Sequence, residues 1–155
     1  MSVSARRFTE AVFESEVVER GFSIVLAVAL LTAGTVHLWV ATEHGMSVFA
    51  VTALAVGFAQ IGMALVSRFH PFARLYRWSV LLSLVLLELY LFNVTVGLPP
   101  LIAHTHAAGT HSVLGVTLAM PNAIEADGLL VQAAQIVTLL AASFLGRLAR
   151  PADSF

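Results

Sequence analysis

The chain has 155 residues, of which 59% are apolar and only 11% are charged. With a mean hydropathy of +0.90, it has too few charged side chains to cover the water-facing surface of a soluble globular protein. A formal net charge of -1 without clustered basic residues argues against nucleic-acid binding. The absence of cysteine excludes disulfides, thiolate metal sites and thiol nucleophiles. These features predict an integral membrane protein.

Four apolar segments cover roughly residues 21–41, 46–69, 75–97 and 128–148. Each is close to the ~20 residues that a helix needs to cross ~30 Å of hydrocarbon. The first is too long for the apolar part of a secretory signal, and several Glu precede it, so we expect it to be retained. The chain therefore predicts one all-α membrane domain over 1–155, a four-helix transmembrane bundle.

The basic residues predict the orientation of the bundle. All eight are Arg, and they lie before the first segment, in or beside the second loop, and at the end of the fourth segment or just after it. The first loop and the long third loop, 98–127, contain none. Because cytoplasmic loops collect basic residues, we expect both termini in the cytoplasm and the third loop outside the plasma membrane. Residues 2–20 mix apolar side chains with Glu and predict a short N-terminal interfacial helix.

The apolar segments contain one histidine and one acidic residue. His37 and Glu88 both lie in the predicted outer half, where an ionisable group costs on the order of 3 kcal/mol. We therefore expect both to face the bundle interior and to hydrogen-bond to each other. Such a pair either marks a functional site or simply holds the first helix to the third.

Other residues within the segments predict helix packing. Gln60, Gln132 and Gln135 are expected to make interhelical amide hydrogen bonds. Small residues spaced by four predict close helix contacts, at Ala29 and Ala33 in the first helix and at Ala53 and Gly57 in the second.

Histidine and carboxylate at the end of the first helix suggest a metal site. His37 and His44 are seven residues apart and share a helix face, and Glu43 lies beside the second. Neutral imidazole binds copper, zinc or iron, and a carboxylate can complete the ligand shell. The alternative is that His44 is an ordinary polar anchor at the membrane surface.

The third loop contains a second set of candidate ligands. His104 and His106 would point the same way in an extended backbone, and His111 follows shortly after. Glu125 and Asp127 lie at the other end of the loop and could add carboxylate ligands. The alternative is a solvated loop with incidental histidines.

Several classes of function find no support in the sequence. It has no G-x-S-x-G, P-loop or H-E-x-x-H motif, so we do not expect an enzyme of those types. A haem is less suited than a transition metal such as copper or zinc, because a second intramembrane histidine to pair with His37 is missing.

Short motifs in all four segments resemble a family of small four-helix membrane proteins from bacteria and archaea that has no assigned activity. The motifs are TVHLWVATEHG at 35–45, FAQ at 58–60, TVGLP at 95–99 and EADGLLVQAAQ at 125–135. The resemblance implies the four-helix fold and draws attention to His37, Glu43, His44, Glu125 and Asp127. The long histidine-bearing loop departs from that family.

The sequence thus favours a transition-metal-binding or accessory membrane protein with a site of histidines and carboxylates on the outer face. The first alternative is a structural subunit of a larger membrane complex, and the second is a small-solute or proton transporter. A continuous transport route is poorly supported, because the predicted inner half lacks ionisable residues. Expected partners are the lipid bilayer and either other membrane subunits or further copies of the chain.

Overall fold

The computed structural model describes residues 3–43, 47–98, 110–113, 116–119 and 125–149. Four of its six elements are helices, and the chain order is α1 (Val3–Glu43), α2 (Val48–Phe69), α3 (Ala73–Thr95), β1 (Thr110–Val113), β2 (Val116–Ala119) and α4 (Ala126–Leu148). All four helices are long and apolar enough to cross a membrane, with α1 contributing Ser15–Glu43. The predicted multi-pass four-helix architecture is confirmed.

Two segments differ from the sequence prediction. The predicted interfacial segment and first span form one continuous helix, α1, of 41 residues. At ~1.5 Å per residue it is about 60 Å long, roughly twice the thickness of the hydrocarbon layer. The third loop contains an antiparallel hairpin, in which β1 pairs with β2 from Thr110 opposite Ala119 to Val113 opposite Val116. The sequence predicted a long loop here and no strands.

The helices pack in the spatial order α2, α1, α4, α3, and consecutive helices run antiparallel. The tightest crossing lies where Gly34 of α1 meets Gly57 of α2. A Cβ atom added to either glycine would lie 2.9 Å from the carbonyl oxygen of the other. The small residues predicted to support close packing are all buried, namely Ala29, Ala33, Ala53 and Gly57. That prediction is confirmed.

The bundle has two ends, which we name by their residues. Glu43, Glu125 and Asp127 lie at the carboxylate end, and Arg68, Arg74, Arg77 and Arg147 lie at or near the arginine end. Exposed tryptophans lie toward each end, Trp39 near the carboxylate end and Trp78 near the arginine end. Tryptophan is enriched at both surfaces of a bilayer, so this placement fits helices that span one.

The arginine half contains the main apolar core. Leu26 and Leu30 of α1 pack there against Ala64, Tyr76 and residues of α4, and Phe22 stacks on Phe144 with ring centroids 4.1 Å apart. A smaller cluster of buried alanines, Ala41, Ala50 and Ala53, joins α1 to α2 at the carboxylate end. Packing is therefore denser in the arginine half.

Candidate functional site

A cavity of about 290 Å³ lies among the four helices in the carboxylate half. Most of its lining is apolar and comes from α1, α2, α3 and α4. Its ionisable and hydrogen-bonding side chains are His37, Tyr90, Asn93, Glu125, Asp127 and Gln132, together with Thr52. An apolar cavity with a few convergent polar groups is the usual form of a small-ligand site.

The cavity exists because α2 and α3 separate toward the carboxylate end. A short connection, 70–72, joins them at the arginine end, where the Ser79 hydroxyl lies 3.7 Å from the Met63 sulfur. Elsewhere the two helices make few contacts, since α3 packs mainly on α4. Phe49 and Val56 of α2 therefore face Leu86 of α3 across the cavity.

The ring of His37 is held in one tautomer by its own helix. Its Nδ1 donates a hydrogen bond to the carbonyl oxygen of Ala33, one turn earlier in α1, at 2.8 Å. Because a carbonyl oxygen can only accept, Nδ1 carries the proton, and the neutral ring has its lone pair on Nε2. The side chain of Gln60 in α2 also interacts with the ring. This is the tautomer in which a histidine can accept a proton or bind a metal through Nε2.

Glu125 and Asp127 enter the cavity from the start of α4. Glu125 is the residue before the first turn, and its carbonyl oxygen accepts a hydrogen bond from the Leu129 amide. Asp127 Oδ1 accepts from the amide of Gly128 at 2.8 Å. The first turn of a helix carries partial positive charge, which stabilises a carboxylate there.

Tyr90 of α3 lies over the start of α4. A Cβ atom added to Gly128 would be 3.0 Å from the Tyr90 ring and 3.3 Å from its hydroxyl oxygen. The hydroxyl is close enough to Glu125 and Asp127 to interact electrostatically with both carboxylates. The glycine thus allows the phenol to approach the two carboxylates.

Several polar atoms in this half are buried without a hydrogen-bond partner in the described part of the chain. Three belong to residues that line the cavity, namely Tyr90 Oη, Asn93 Oδ1 and Gln132 Oε1. The amides of Gln60 and Gln135, both fully buried, also lack hydrogen-bonding geometry to any described group. Buried polar groups are nearly always satisfied in native proteins, so each of these needs a partner. The interhelical amide bonds predicted for the glutamines are not formed among these residues.

Glu88 does not belong to the cavity. The prediction that it faces the interior and bonds to His37 is wrong, because Glu88 lies on the exposed face of α3. The depth of a residue follows from its position along the helix, whereas the direction it faces depends on helix rotation. A polar or small face was readable in the sequence, at Tyr76, Ser79, Ser83, Tyr90 and Asn93, spaced three, four or seven residues apart. This face turns inward and places Glu88 on the opposite side.

The remaining candidates divide between exposed residues and residues outside the described ranges. Glu43 is exposed at the end of α1 and does not line the cavity. His44, His104 and His106 lie outside the described residues, and for His111 the structure gives its place in β1, opposite Leu118. Within the described ranges, no three His, Asp or Glu side chains are grouped closely enough to hold a metal ion.

Of the nine candidate metal ligands, the structure therefore brings three to one cavity, namely His37, Glu125 and Asp127. Sequence reasoning missed Tyr90 and assigned Asn93 no role. The inward face of α3 described above was the signal that could have identified both.

Comparison with protein-family models, curated proteins and solved structures found no match to the chain. The resemblance noted from its short motifs stays a prediction. Any function must therefore be argued from the cavity itself.

Proposed function

We propose that this integral membrane protein binds a small cation in the cavity of the carboxylate half, with a transition-metal ion as the first candidate. One observation carries the proposal. His37 of α1 and the acidic pair Glu125 and Asp127 of α4, far apart in the chain, line the same cavity.

The chemistry of the lining favours a cation. The two carboxylates supply negative charge, and no Arg is among the described residues that line the cavity. The unpartnered atoms of Asn93 and Gln132 are carbonyl-type oxygens, which only accept hydrogen bonds or coordinate cations. An apolar membrane environment weakens screening, so attraction between these groups and a positive ligand is stronger than in water.

A transition metal fits the donor types. A neutral imidazole, which in this tautomer has its lone pair on Nε2, and two carboxylates suit copper or zinc, as the sequence suggested. The described side chains are not grouped as three ready ligands, so metal binding requires Glu125 or Asp127 to move toward His37. A compact organic cation needs no such movement and is the second candidate for the same site.

The structural-subunit alternative makes a different prediction about the polar residues. If they only held helices together, their side chains would bond to one another across the bundle. Tyr90 Oη, Asn93 Oδ1 and Gln132 Oε1 have no such bonds among the described residues. This favours a site that recruits a ligand over one that only joins helices.

The transporter alternative needs a polar path through both halves. The arginine half is filled by the apolar cluster of Leu26, Leu30, Tyr76 and Leu145, which supplies no such path in this conformation. With the orientation predicted from the arginines, both termini are cytoplasmic and the cavity lies in the outer half of the plasma membrane.

The proposal is tested by equilibrium binding to the detergent-purified full-length protein. Cu²⁺ and Zn²⁺ are measured by dialysis and metal analysis, and tetramethylammonium is measured by thermal stabilisation. The variants are His37→Ala and the double variant Glu125→Gln with Asp127→Asn. Glu43→Gln is the matched control, because Glu43 is an exposed carboxylate that does not line the cavity.

We expect at least one probe to bind the wild type, and each cavity variant to weaken that binding by at least about tenfold. Glu43→Gln should bind like the wild type. Binding of tetramethylammonium but of neither metal would retain the cation site and remove the metal. Loss of metal in Glu43→Gln with unchanged binding in the cavity variants would place the metal at the end of α1 and overturn the proposal. No binding of any probe would also overturn it.

A further inference from the structure

Four buried polar side chains that do not line the cavity lie on its arginine side, and we call them the polar floor. They are Gln60 of α2, Ser83 of α3, and Gln135 and Thr138 of α4, each at most 1% exposed. Six of their atoms make no hydrogen bond to any group that the structure describes, namely both amide atoms of each glutamine and the two hydroxyl oxygens. Buried polar groups are nearly always satisfied, so the polar floor needs a hydrogen-bonding partner.

Contacts between α3 and α4 place the two hydroxyl groups at the same depth. The helices meet at two glycine positions on either side of the polar floor, namely Tyr76 with Gly146 and Tyr90 with Gly128. Ser83 is midway between the two tyrosines along α3. Thr138 is within one residue of the midpoint between the two glycines along α4. Because the helices run antiparallel with equal rise per residue, Ser83 and Thr138 lie level with each other.

The two glutamines also lie level with each other. Two contacts align α1 with its neighbours, namely Ser23 with Ser67 of α2 and Phe22 with Phe144 of α4. Counting seven residues from the first contact and nine from the second brings Gln60 and Gln135 level with the adjacent residues 30 and 31 of α1. Thr138 is three residues, or about 4.5 Å, further along α4 than Gln135. The polar floor is therefore about one helical turn deep.

The polar floor continues the helix faces that line the cavity. On each helix a lining residue lies three or four positions away on the same face, namely Val56 beside Gln60, Leu86 beside Ser83 and Val131 beside Gln135. The side chain of Gln60 also reaches the ring of His37 in the cavity wall. One turn further toward the arginine end, Ala64 and Ala142 belong to the apolar core. The polar floor thus lies between the cavity and the core.

The atoms of the polar floor identify the class of ligand. Two amide groups and two hydroxyl groups present both donors and acceptors, and none carries a charge. A cation would leave the amide N–H groups unmatched, and an anion would leave the amide oxygens unmatched. A direct bond between the two amide groups would still leave half of their hydrogen-bonding capacity unused. A small neutral molecule that both donates and accepts, such as water, matches the whole set.

The hydroxyl groups support the same conclusion. Ser67 and Ser79, nearer the arginine end, donate to carbonyl oxygens of their own helices. Ser83 and Thr138 also lie within helices, yet they make no such bond to a described group. Their hydroxyl groups therefore remain available to a ligand in the bundle interior.

We propose that the polar floor binds a small cluster of ordered water molecules, which bridges α2, α3 and α4 and reaches His37 through Gln60. A buried water molecule makes about three hydrogen bonds, so about two molecules are the minimum for the six atoms. Because α2 and α3 make few direct contacts, a water bridge from Gln60 to Ser83 joins them across the bundle. The water cluster does not depend on what the cavity binds.

Solid-state NMR tests the water cluster directly. Magnetisation transfer from water to isotope-labelled glutamine side-chain amides is measured on the full-length protein in lipid bilayers. The chain contains three glutamines, of which Gln132 lines the cavity and serves as the hydrated reference. Gln60→Leu and Gln135→Leu each remove one signal and so assign the spectrum. The backbone amides of Leu26 and Leu30, in the apolar core, are the dry reference.

We expect transfer to Gln60 and Gln135 at rates within about threefold of Gln132, and at least about tenfold slower transfer to the two leucine amides. Slow transfer at either Gln60 or Gln135 would overturn the proposal, whatever Gln132 shows. Equal transfer at the leucine amides would also overturn it, because the water would not be localised. A change in the two glutamine signals when Na⁺ is replaced by N-methylglucamine would identify a cation instead of water.

A second experiment tests whether a hydroxyl group helps to hold the water. Thr138→Val removes the hydroxyl at nearly constant volume, so transfer to the Gln135 amide should fall at least about threefold while transfer to Gln132 stays unchanged. Thr35→Val is the matched control, because Thr35 is exposed and donates to the carbonyl oxygen of Leu31 in its own helix. Thermal unfolding checks that both variants fold. Unchanged transfer to Gln135 in Thr138→Val, or an equal loss in both variants, would contradict the shared cluster. Cation binding in the cavity is measured separately, so either proposal can fail alone.

Discussion

The two halves of the bundle differ in how their buried polar groups are hydrogen-bonded. In the arginine half, the Ser67 hydroxyl donates to the Ala64 carbonyl at 2.8 Å and the Ser79 hydroxyl donates to the Leu75 carbonyl at 3.0 Å. In the carboxylate half, buried atoms of Tyr90, Asn93 and Gln132 find no partner among the described residues. The serine hydroxyl groups nearest the arginine end are satisfied within their own helices, whereas unpartnered atoms begin at mid-bundle, with Ser83 Oγ and Thr138 Oγ1, and continue into the cavity.

This difference separates stability from function along one bundle. The arginine half packs apolar side chains closely and hydrogen-bonds the hydroxyl groups of Ser67 and Ser79 within their own helices, which is the usual behaviour of a structural core. The carboxylate half keeps a cavity and unpartnered polar atoms, which lower stability unless a ligand satisfies them. Departures from the rules of good packing are expected at functional sites. The following substitutions test whether the two roles are separate.

Leu30→Ala should have the largest effect on stability. Leu30 is 1% exposed within the core of the arginine half. Its truncation should lower the free energy of unfolding by about 2 to 3 kcal/mol. This loss comes from packing alone, because lipid solvates a leucine nearly as well as the protein core does. Leu140→Ala on the exposed face of α4 is the control. Unfolding in a detergent titration measures both variants, and equal losses would contradict a packed core. Cation binding should not change in either variant.

Gly34→Ala should have the next largest effect. The new Cβ atom would lie 2.9 Å from the Gly57 carbonyl oxygen and 2.9 Å from Cγ1 of Ile61, so α1 and α2 must separate. We expect a loss of about 1 to 2 kcal/mol in unfolding free energy. Gly62→Ala provides the matched control, because a Cβ atom there has no neighbour within 4 Å and alanine favours the helix. A control as destabilised as Gly34→Ala would show that the crossing is not the cause.

Tyr90→Phe should not lower stability, and it should change ligand binding most specifically. Its hydroxyl is buried without a partner in the described part of the chain, so its removal should raise the unfolding free energy of the ligand-free protein by up to about 1 kcal/mol. Affinity for the cation should fall, since the hydroxyl lies near Glu125 and Asp127. Tyr76→Phe in the arginine half should leave affinity unchanged. Equal affinities in both variants would remove Tyr90 from the site.

The sequence predicted the helices well because hydropathy and length determine which segments can span a bilayer. It also predicted the packing of Ala29, Ala33, Ala53 and Gly57, since only small residues allow close helix crossings. The hairpin of β1 and β2 was missed because a loop rich in turn formers gives no clear strand signal. The continuous α1 was missed because a mixture of Glu and apolar residues is compatible with both an interfacial and an extended helix.

The site was predicted only in part. Residue type and position in the sequence identified His37, Glu125 and Asp127 as candidates, and the structure brings them to one cavity. Glu88 was misplaced because α3 carries leucines on nearly every face, so an apolar pattern does not determine its rotation. The cavity itself depends on the separation of α2 from α3, which is a property of tertiary packing and leaves no pattern in the sequence.

One measurement tests the contrast between the halves most directly. It compares the variants Ala53→Cys and Ala141→Cys. Ala53 lines the cavity, Ala141 lies in the core of the arginine half, and both alanines are buried. The reaction of each with methanethiosulfonate ethylammonium, a small cationic thiol reagent, is followed by mass spectrometry in the folded protein and after unfolding in detergent. Because a thiol must be accessible to react, we expect Ala53→Cys to react at least about tenfold faster when folded and equally fast when unfolded. Equal rates in the folded protein would contradict a cavity that admits cations.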